Sequence, residues 1–534
     1  MKAILLIGLA LFLVFIPSLQ VPFIFYDDHI HIGGNLWLTS GQIHRFWGEP
    51  YFGGYIPVMF TVWSWIYTVS SGPLAFHIFN LVLHITNSIL VFFLLRVLLP
   101  DSLARSKTGA LFPPVAGALV FGLHALQVEP VMWVTAGRDV LCAFFGLSAL
   151  LVLFYQPFKG VIRPSVTTVL FGLAILTKPT IVPLPLAALT LVIAFPHLRS
   201  RPRAWLLISW LTLSIAAVWW ARHIQTDFAS YRLMPLSLGE RFTVAIDSLG
   251  FYLKQIAWPS VRTLDHGRTP QMVLLGEGWR TSTAGFIFLA VSLITFHRQL
   301  TLTIWAAVLF SVLMLTPILG LFPFSAQMFS TVADRYTYIP LVGAAVVIAD
   351  FAQRAKWAVW IVPPLLLIHA VMSFQYSLVW RSNESLFAHV LEHTPRSYVA
   401  LNALGLSKMA ERKYGEAEPW LLSAWKQQPR LAVAPANLGL LLWEAGRVKD
   451  LLQTLEPFAA DLENIRFNQH ETAALSLLYL HLGRAQKTLE NWDKSFLYYC
   501  NYAFLEANKP KPQREVQAFL KEMGARKGRA VSCN

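Results

Sequence analysis

Up to about residue 380 the chain alternates long apolar runs with short polar ones. Beyond that point apolar residues recur singly at helical spacing among charged ones. A membrane-spanning helix needs about 20 apolar residues in succession. The runs that approach this are 3–22, 74–99, 110–126, 139–157, 164–177, 180–197, 204–222, 283–297, 301–321, 338–353 and 357–379. Several are short, which suits helices tilted, broken at Pro or enclosed in a bundle. The first run follows Lys2 and gives way to Pro22-Phe23-Ile24-Phe25-Tyr26 rather than to a small-residue cleavage site. It reads as a retained span, not a removed signal peptide.

Basic residues orient these runs. Lys2, then Arg96, Arg105 and Lys107, then Lys159 and Arg163, then Arg199, Arg201 and Arg203, then Arg298, and last Arg354 and Lys356 fall where a chain with its N-terminus inside returns to the cytoplasm. With about eleven spans the C-terminal part ends outside. Residues 240–258 are apolar enough to suggest one more span. Yet Glu240, Asp247 and Lys254 share one helical face, and Phe242, Ile246, Leu249, Leu253 and Ile256 another. That is the pattern of a helix lying in the membrane interface. Counting it as a span would also reverse Arg298, Arg354 and Lys356. The outer loops are then 23–73, 125–138, the Lys178 turn, 223–282 and 322–337, of which the first and fourth are long enough to carry function.

The C-terminal part repeats. Pro395-Arg396 through Gly405 matches Pro429-Arg430 through Gly439 at an offset of 34 residues, the tetratricopeptide period. Leu404, Gly405, Ala417, Ala424 and Pro429 fall where that repeat places small, packing or terminating residues. A second unit keeps Asn437-Leu438-Gly439, and a third, over about 472–508, is degenerate. The fold class expected is all-α: a polytopic helical domain over 1–380, a short tetratricopeptide α-solenoid over 381–508, and a frayed basic tail over 509–534.

Composition sharpens this. Hydrophobic residues make up 55% of the chain and charged ones 13%, about half the usual charged share. The net charge of +14 would suggest nucleic acid for a soluble protein. Here the basic residues sit between apolar runs, so nucleic-acid binding is excluded in favour of membrane lipid as the surroundings. The three cysteines, Cys142, Cys500 and Cys533, have no metal spacing; a Cys500–Cys533 bridge is open but not required.

Ionisable residues cluster on the outer side. Tyr26-Asp27-Asp28-His29 follows the first span. Taken alone, the two carboxylates also read as solvated residues that stop a helix. One of them is placed to take a proton from a hydroxyl; the other can orient it, raise its pKa or share a divalent metal. His124, Gln127, Glu129, Arg138 and Asp139 gather between two spans, as an ordinary loop or as a site wall. Lys178 and Arg335 run against the inside-positive trend, and an outward cation near the headgroups either snorkels or binds phosphate. Asp265 and His266, in Leu264-Asp265-His266-Gly267-Arg268, are acceptor-side or connective. Carboxylates and cations together at one membrane face suit a lipid-phosphate sugar.

The motifs carry a resemblance. Phe25-Tyr26-Asp27-Asp28…Ile32…Asn35, Phe76-His77…Asn80-Leu81…His84…Asn87-Ser88, His124…Glu129-Pro130-Val131…Gly137-Arg138-Asp139, Leu173-Ala174-Ile175-Leu176-Thr177-Lys178, Trp258-Pro259…Leu264-Asp265-His266, Asp334-Arg335-Tyr336-Thr337-Tyr338-Ile339-Pro340 and Trp380-Arg381-Ser382-Asn383-Glu384-Ser385-Leu386-Phe387 occur in order along nearly the whole chain. This series resembles the GT-C membrane glycosyltransferases, within them the transmembrane-and-tetratricopeptide O-mannosyltransferase group and its bacterial relatives. The resemblance implies a catalytic carboxylate at Asp27, with Asp28 as second choice. It also implies a polyprenyl- or dolichyl-phosphate sugar donor, inverting transfer, and donor-phosphate contacts from Arg335, Lys178 and Arg138. Three departures, Ile56 for the family's Arg, Pro179 after the Lys and Ala125 after the His, bear on the sugar and acceptor more than on the reaction class.

The expected function is transfer of a sugar from a polyprenyl-phosphate donor to a hydroxyl, on protein Ser/Thr or a glycan, outside the cytoplasm. His124, Glu129, Asp265 and His266 would line the acceptor side, and a divalent metal on Asp27, Asp28 and Glu129 is left open. The rivals are a polysaccharide polymerase- or ligase-like enzyme and a non-enzymatic scaffold acting through its repeats on a protein partner. The expected location is a bacterial inner membrane, N-terminus cytoplasmic and repeats periplasmic.

Overall fold

The computed structural model describes residues 1–99, 111–155, 162–224, 236–276, 301–322, 324–461, 469–506, 510–528 and 531–533, with single positions at 287, 291 and 295. Every described element of any length is a helix, and among the described residues there is no strand. Two compact units divide between His393 and Thr394.

The first unit holds helices α1 (Lys2–Phe15), α2 (Pro57–Val69), α3 (Pro73–Leu98), α4 (Phe112–Leu123), α5 (Val128–Met132), α6 (Gly137–Tyr155), α7 (Ile162–Thr177), α8 (Leu184–Ala194), α9 (Arg201–Ile224), α10 (Leu238–Ala257), α11 (Leu302–Leu315), α12 (Leu341–Arg354), α13 (Ala358–Val379) and α14 (Asn383–His393). Pro57 and Pro73 open α2 and α3, where the missing N–H costs nothing. Arg203 donates to the carbonyls of Leu153 and Phe154 at the end of α6 and to that of Leu198. The basic cluster read as cytoplasmic thus also caps a helix C-terminus. Gly117 and Gly343 let α4, α11 and α12 approach closely: an added Cβ would collide with the Ala345 and Ala307 carbonyls respectively.

Among the described residues, five helical stretches are long and apolar enough to cross a membrane: Lys2–Gln20, Pro73–Leu98, Gly137–Tyr155, Arg201–Ala221 and Ala358–Val379. Phe112–Leu123 with Ala125–Met132, bent by 50°, makes a sixth if counted as one span. Ile162–Thr177, Pro179–Ala194 and Leu302–Ile318 are apolar but shorter. The run at 338–353 becomes α12, of 14 residues. The run at 283–297, and Arg105, Lys107, Lys159 and Arg298, lie outside the described residues. Large apolar side chains stand exposed on one face of these helices, Leu5, Leu9 and Leu13 on α1 and Trp205, Ile215 and Trp219 on α9, while Ile7, Leu11 and Phe15 are buried. Exposed apolar faces of this extent mark association with a membrane.

α10 starts at a capping box between Ser237 and Glu240. It is not among the helices apolar enough to span. Phe242 and Ile246 are exposed, but Asp247 is fully buried and bound by Arg268. The polar face read from the sequence therefore turns one carboxylate inward, because a loop arginine supplies its partner.

The second unit holds α15 (Tyr398–Ala410), α16 (Tyr414–Gln427), α17 (Val433–Glu444), α18 (Val448–Asp461), α19 (Gln469–Thr488), α20 (Trp492–Leu505) and α21 (Pro510–Lys527). Consecutive helices pack in pairs. A Cβ on Gly405 would lie 2.6 Å from Leu421 Cδ2, and one on Gly439 3.1 Å from Leu455 Cδ1. Ala417 and Ala424 are fully buried. Asn437 donates to Asn402 at 2.9 Å, linking α15 and α17. Two expectations change. α14 belongs to the first unit, where its side chains bind the loops of that unit. The basic tail is not frayed over 510–527: it forms α21, with Phe519 stacked on Tyr499 and Trp492, and Cys533 bonded to Cys500.

Candidate functional site

The segment from Phe23 to Asp28 is held from three sides. Phe25 N donates to Asn383 Oδ1 at 2.7 Å, and Asn383 Nδ2 donates to Phe23 O at 3.0 Å. Asp28, almost wholly buried, accepts from Ile24 N at 2.9 Å and from Thr135 N at 3.0 Å. Burial raises its carboxyl to about 7, against the pull of those N–H groups. Asn80 Nδ2 on α3 donates to Trp133 O at 3.1 Å, and Asn87 Nδ2 to Val140 O at 2.8 Å. The Asp28 loop and the stretch from Trp133 to Val140 are thus fixed to one another.

That scaffold brings together the residues singled out in the sequence. The Asp27 carboxylate lies 3.7 Å from the Arg138 guanidinium, a charge contact too long for a hydrogen bond. Lys178 forms an ion pair with Asp139. Arg335 binds Glu129 through its guanidinium, and its backbone N–H also donates to Glu129 at 3.1 Å. The Lys178 ammonium and the Arg335 guanidinium stand over the same Tyr336 ring, at 5.0 Å and 4.9 Å from its centre. Arg335 also lies 5.0 Å from the Trp133 ring, which stacks on Tyr26 at 5.6 Å. Burial lowers the Lys178 ammonium from its usual range, Asp139 raises it, and the Arg138 and Arg335 charges lower it again. The Tyr26 phenol is raised by burial and by Asp27, against Arg335, with Asp265 and Tyr336 raising it further. Asp27, Arg138, Lys178, Arg335, Tyr26 and Asp265 therefore share one electrostatic neighbourhood.

Three cations face three carboxylates here, yet donors remain unmatched. The buried Nε atoms of Arg138 and Arg335 and Nε1 of Trp133 have no hydrogen-bond partner among the described residues. Buried donors without partners cost free energy.

The remaining predicted residues divide. His266 Nε2 lies 2.9 Å from Asp334 Oδ1, beside Arg335 in sequence, so it joins the wall of the cluster. Asp265 accepts from Gly267 N at 2.8 Å and shapes its own turn. His124 is turned elsewhere: its Nε2 bonds the Ile256 carbonyl at 3.1 Å and its ring stacks on His369 at 4.5 Å. The carboxylates of Asp27, Asp28 and Glu129 do not converge as a metal site among the described residues; Asp28 serves two backbone N–H groups and Glu129 serves Arg335. Sequence reasoning missed Tyr26, Trp133 and Tyr336 as site members, although Tyr26 and Tyr336 adjoin named residues. Nothing local marked Trp133 or the Asn383 clamp.

Comparison with protein-family models, with curated proteins and with solved structures found no match to this chain.

Proposed function

We propose that the chain is an integral membrane glycosyltransferase of the GT-C type, using a polyprenyl-phosphate sugar on the extracytoplasmic face, with Ser/Thr hydroxyls of protein as the acceptor class. The observation that carries this reading is the grouping of Arg138, Lys178 and Arg335, with unmatched guanidinium N–H groups, beside the loosely paired carboxylate of Asp27.

The roles follow from how tightly each cation is held. Arg335 and Lys178 are locked by Glu129 and Asp139, and they supply fixed positive charge to the donor phosphate. Arg138 has only a long contact to Asp27. A phosphate arriving at Arg138 competes for that contact and leaves Asp27 as a free base. The acceptor hydroxyl then attacks the anomeric carbon with inversion. The C–O bond to the phosphate breaks, its electron pair stays on the lipid phosphate, and the hydroxyl proton goes to Asp27. Asp28 is a positioning residue that anchors the loop.

About eleven spans, counting the short apolar helices, the stretches outside the described residues and α10 as interfacial, would put the second unit outside. The Cys500–Cys533 bond supports that side, since disulfides persist in oxidising compartments. A bacterial inner membrane suits the short loops. The 34-residue recurrence supports reading the second unit as tetratricopeptide repeats that recruit the acceptor or a protein partner.

The test is binding of a polyprenyl-phosphate sugar to the purified protein in lipid nanodiscs. Arg138→Ala, which leaves the other two pairs intact, should weaken binding about ten- to hundredfold. Equal affinity in wild type and variant would remove the phosphate role.

A further inference from the structure

The last turn of α14 reads His389-Val390-Leu391-Glu392-His393. Positions i, i+3 and i+4 share a helix face. One ligand atom from each of His389, Glu392 and His393 lies within 4.8 Å of the other two. The imidazole rings are 4.5 Å apart, and His389 Nδ1 is 3.6 Å from Glu392 Oε2.

The hydrogen bonds fix which nitrogen of each ring is free. His389 Nε2 lies 2.9 Å from the Arg262 carbonyl oxygen. That oxygen only accepts, so the ring proton sits on Nε2 and Nδ1 carries the lone pair. His393 Nδ1 lies 3.0 Å from the His389 carbonyl oxygen, so its proton sits on Nδ1 and Nε2 carries the lone pair. Each imidazole thus gives one N–H to a backbone carbonyl and presents one unprotonated nitrogen. This is the outer arrangement that orients histidines bound to metal.

We propose that His389, Glu392 and His393 bind one first-row transition-metal ion of the Zn²⁺ class, with the remaining coordination positions left to solvent. Two imidazoles and a carboxylate suit Zn²⁺ and its neighbours. Mg²⁺ and Ca²⁺ prefer oxygen donors alone. The site is separate from the Asp27 cluster, and its role follows from what α14 holds. Asn383 at the start of the helix grips the Phe23–Phe25 segment, and His389 near its end grips Arg262, on the segment that continues to Asp265 and His266. The ion braces the helix that ties those two loops together. Metal binding here does not depend on the glycosyltransferase reading.

The experiment uses the full-length protein in detergent, stripped with a chelator and equilibrated with about 10 μM Zn²⁺, bound metal being counted by elemental analysis. Glu392 and His393 are exposed, so their replacement should leave the fold intact, as circular dichroism would verify. His393→Ala and Glu392→Ala should each lose one bound ion per chain, His44→Ala should lose none, and Mg²⁺ should not compete. Equal zinc content in wild type and His393→Ala, or no zinc bound by the wild type, would overturn the site and leave the three residues as a plain imidazole–carboxylate ion pair.

Discussion

Arg335 holds Glu129 twice, once through its guanidinium and once through its own backbone N–H. Both residues are buried. Breaking a buried pair strands the surviving charge and costs about 3–5 kcal/mol, whereas replacing both members with apolar residues is often neutral. Arg335→Ala should therefore lower the thermal midpoint sharply. The double variant Glu129→Leu with Arg335→Met should recover most of that loss while still failing to bind the donor. Thermal unfolding and donor binding, measured on the same three proteins, separate the structural role of Arg335 from its role toward phosphate.

Asp28 gives a dependence on pH whose sign is fixed. Its carboxyl is raised from the ordinary carboxylate value of 3.8 to about 7 by burial. Below about 4 it is protonated in both folded and unfolded chains and contributes no pH dependence. As pH rises from about 4 to about 7 the unfolded chain ionises first, so wild-type stability falls. Above about 7 the difference is constant. Asp28→Asn should remove this slope, and it should also cost about 1–3 kcal/mol by leaving one of the two N–H groups unmatched. The wild-type midpoint, followed across that pH range, should fall relative to that of the variant as pH rises and then level off.

Gly405 can be tested alone. A Cβ there would lie 2.6 Å from Leu421 Cδ2 and 2.7 Å from Cγ, on the facing helix of the same pair. Gly405→Val should destabilise the second unit by about 1–3 kcal/mol through overpacking. Pairing it with Leu421→Ala should restore part of that loss, since the added volume then has room. Limited proteolysis within residues 394–534 gives the readout.

The Cys500–Cys533 bond closes a loop across α21. Intact protein isolated with a thiol-blocking reagent should show label at neither cysteine unless first reduced. Cys533→Ser should loosen α21, at a cost of about 2–4 kcal/mol. Labelling of both thiols in unreduced protein from intact cells would place the second unit in a reducing compartment and reverse the orientation.

Much of this was legible in the sequence where function and pattern coincide. The recurrence of Gly405 and Gly439 at helix contacts follows from a local rule about small residues, and Lys178, Arg138 and Arg335 were visible as cations between apolar runs. The partners did not. Glu129 meets Arg335, Asp139 meets Lys178 and Asp247 meets Arg268 across long sequence separations, and a side chain's choice among carboxylates is made by tertiary packing. Asp28 stood as second choice to Asp27 for the base, and only the fold shows it occupied by the Ile24 and Thr135 N–H groups. His124 looked like a site wall for its polarity; its bond to Ile256 and its stack on His369 turn it aside. Asn383 looked like a junction residue and proved to clamp the loop that carries the proposed base.

The central claim is that Asp27 takes a proton during sugar transfer. Asp27→Asn keeps the side-chain shape and disturbs only the long contact to Arg138, so fold and donor binding should survive. The direct measurement is the rate at which labelled sugar passes from a polyprenyl-phosphate donor into the protein fraction, wild type against variant, in membranes containing equal amounts of each. The rate should fall about 10²–10⁴-fold while donor affinity changes little. Transfer at close to the wild-type rate would contradict the assignment.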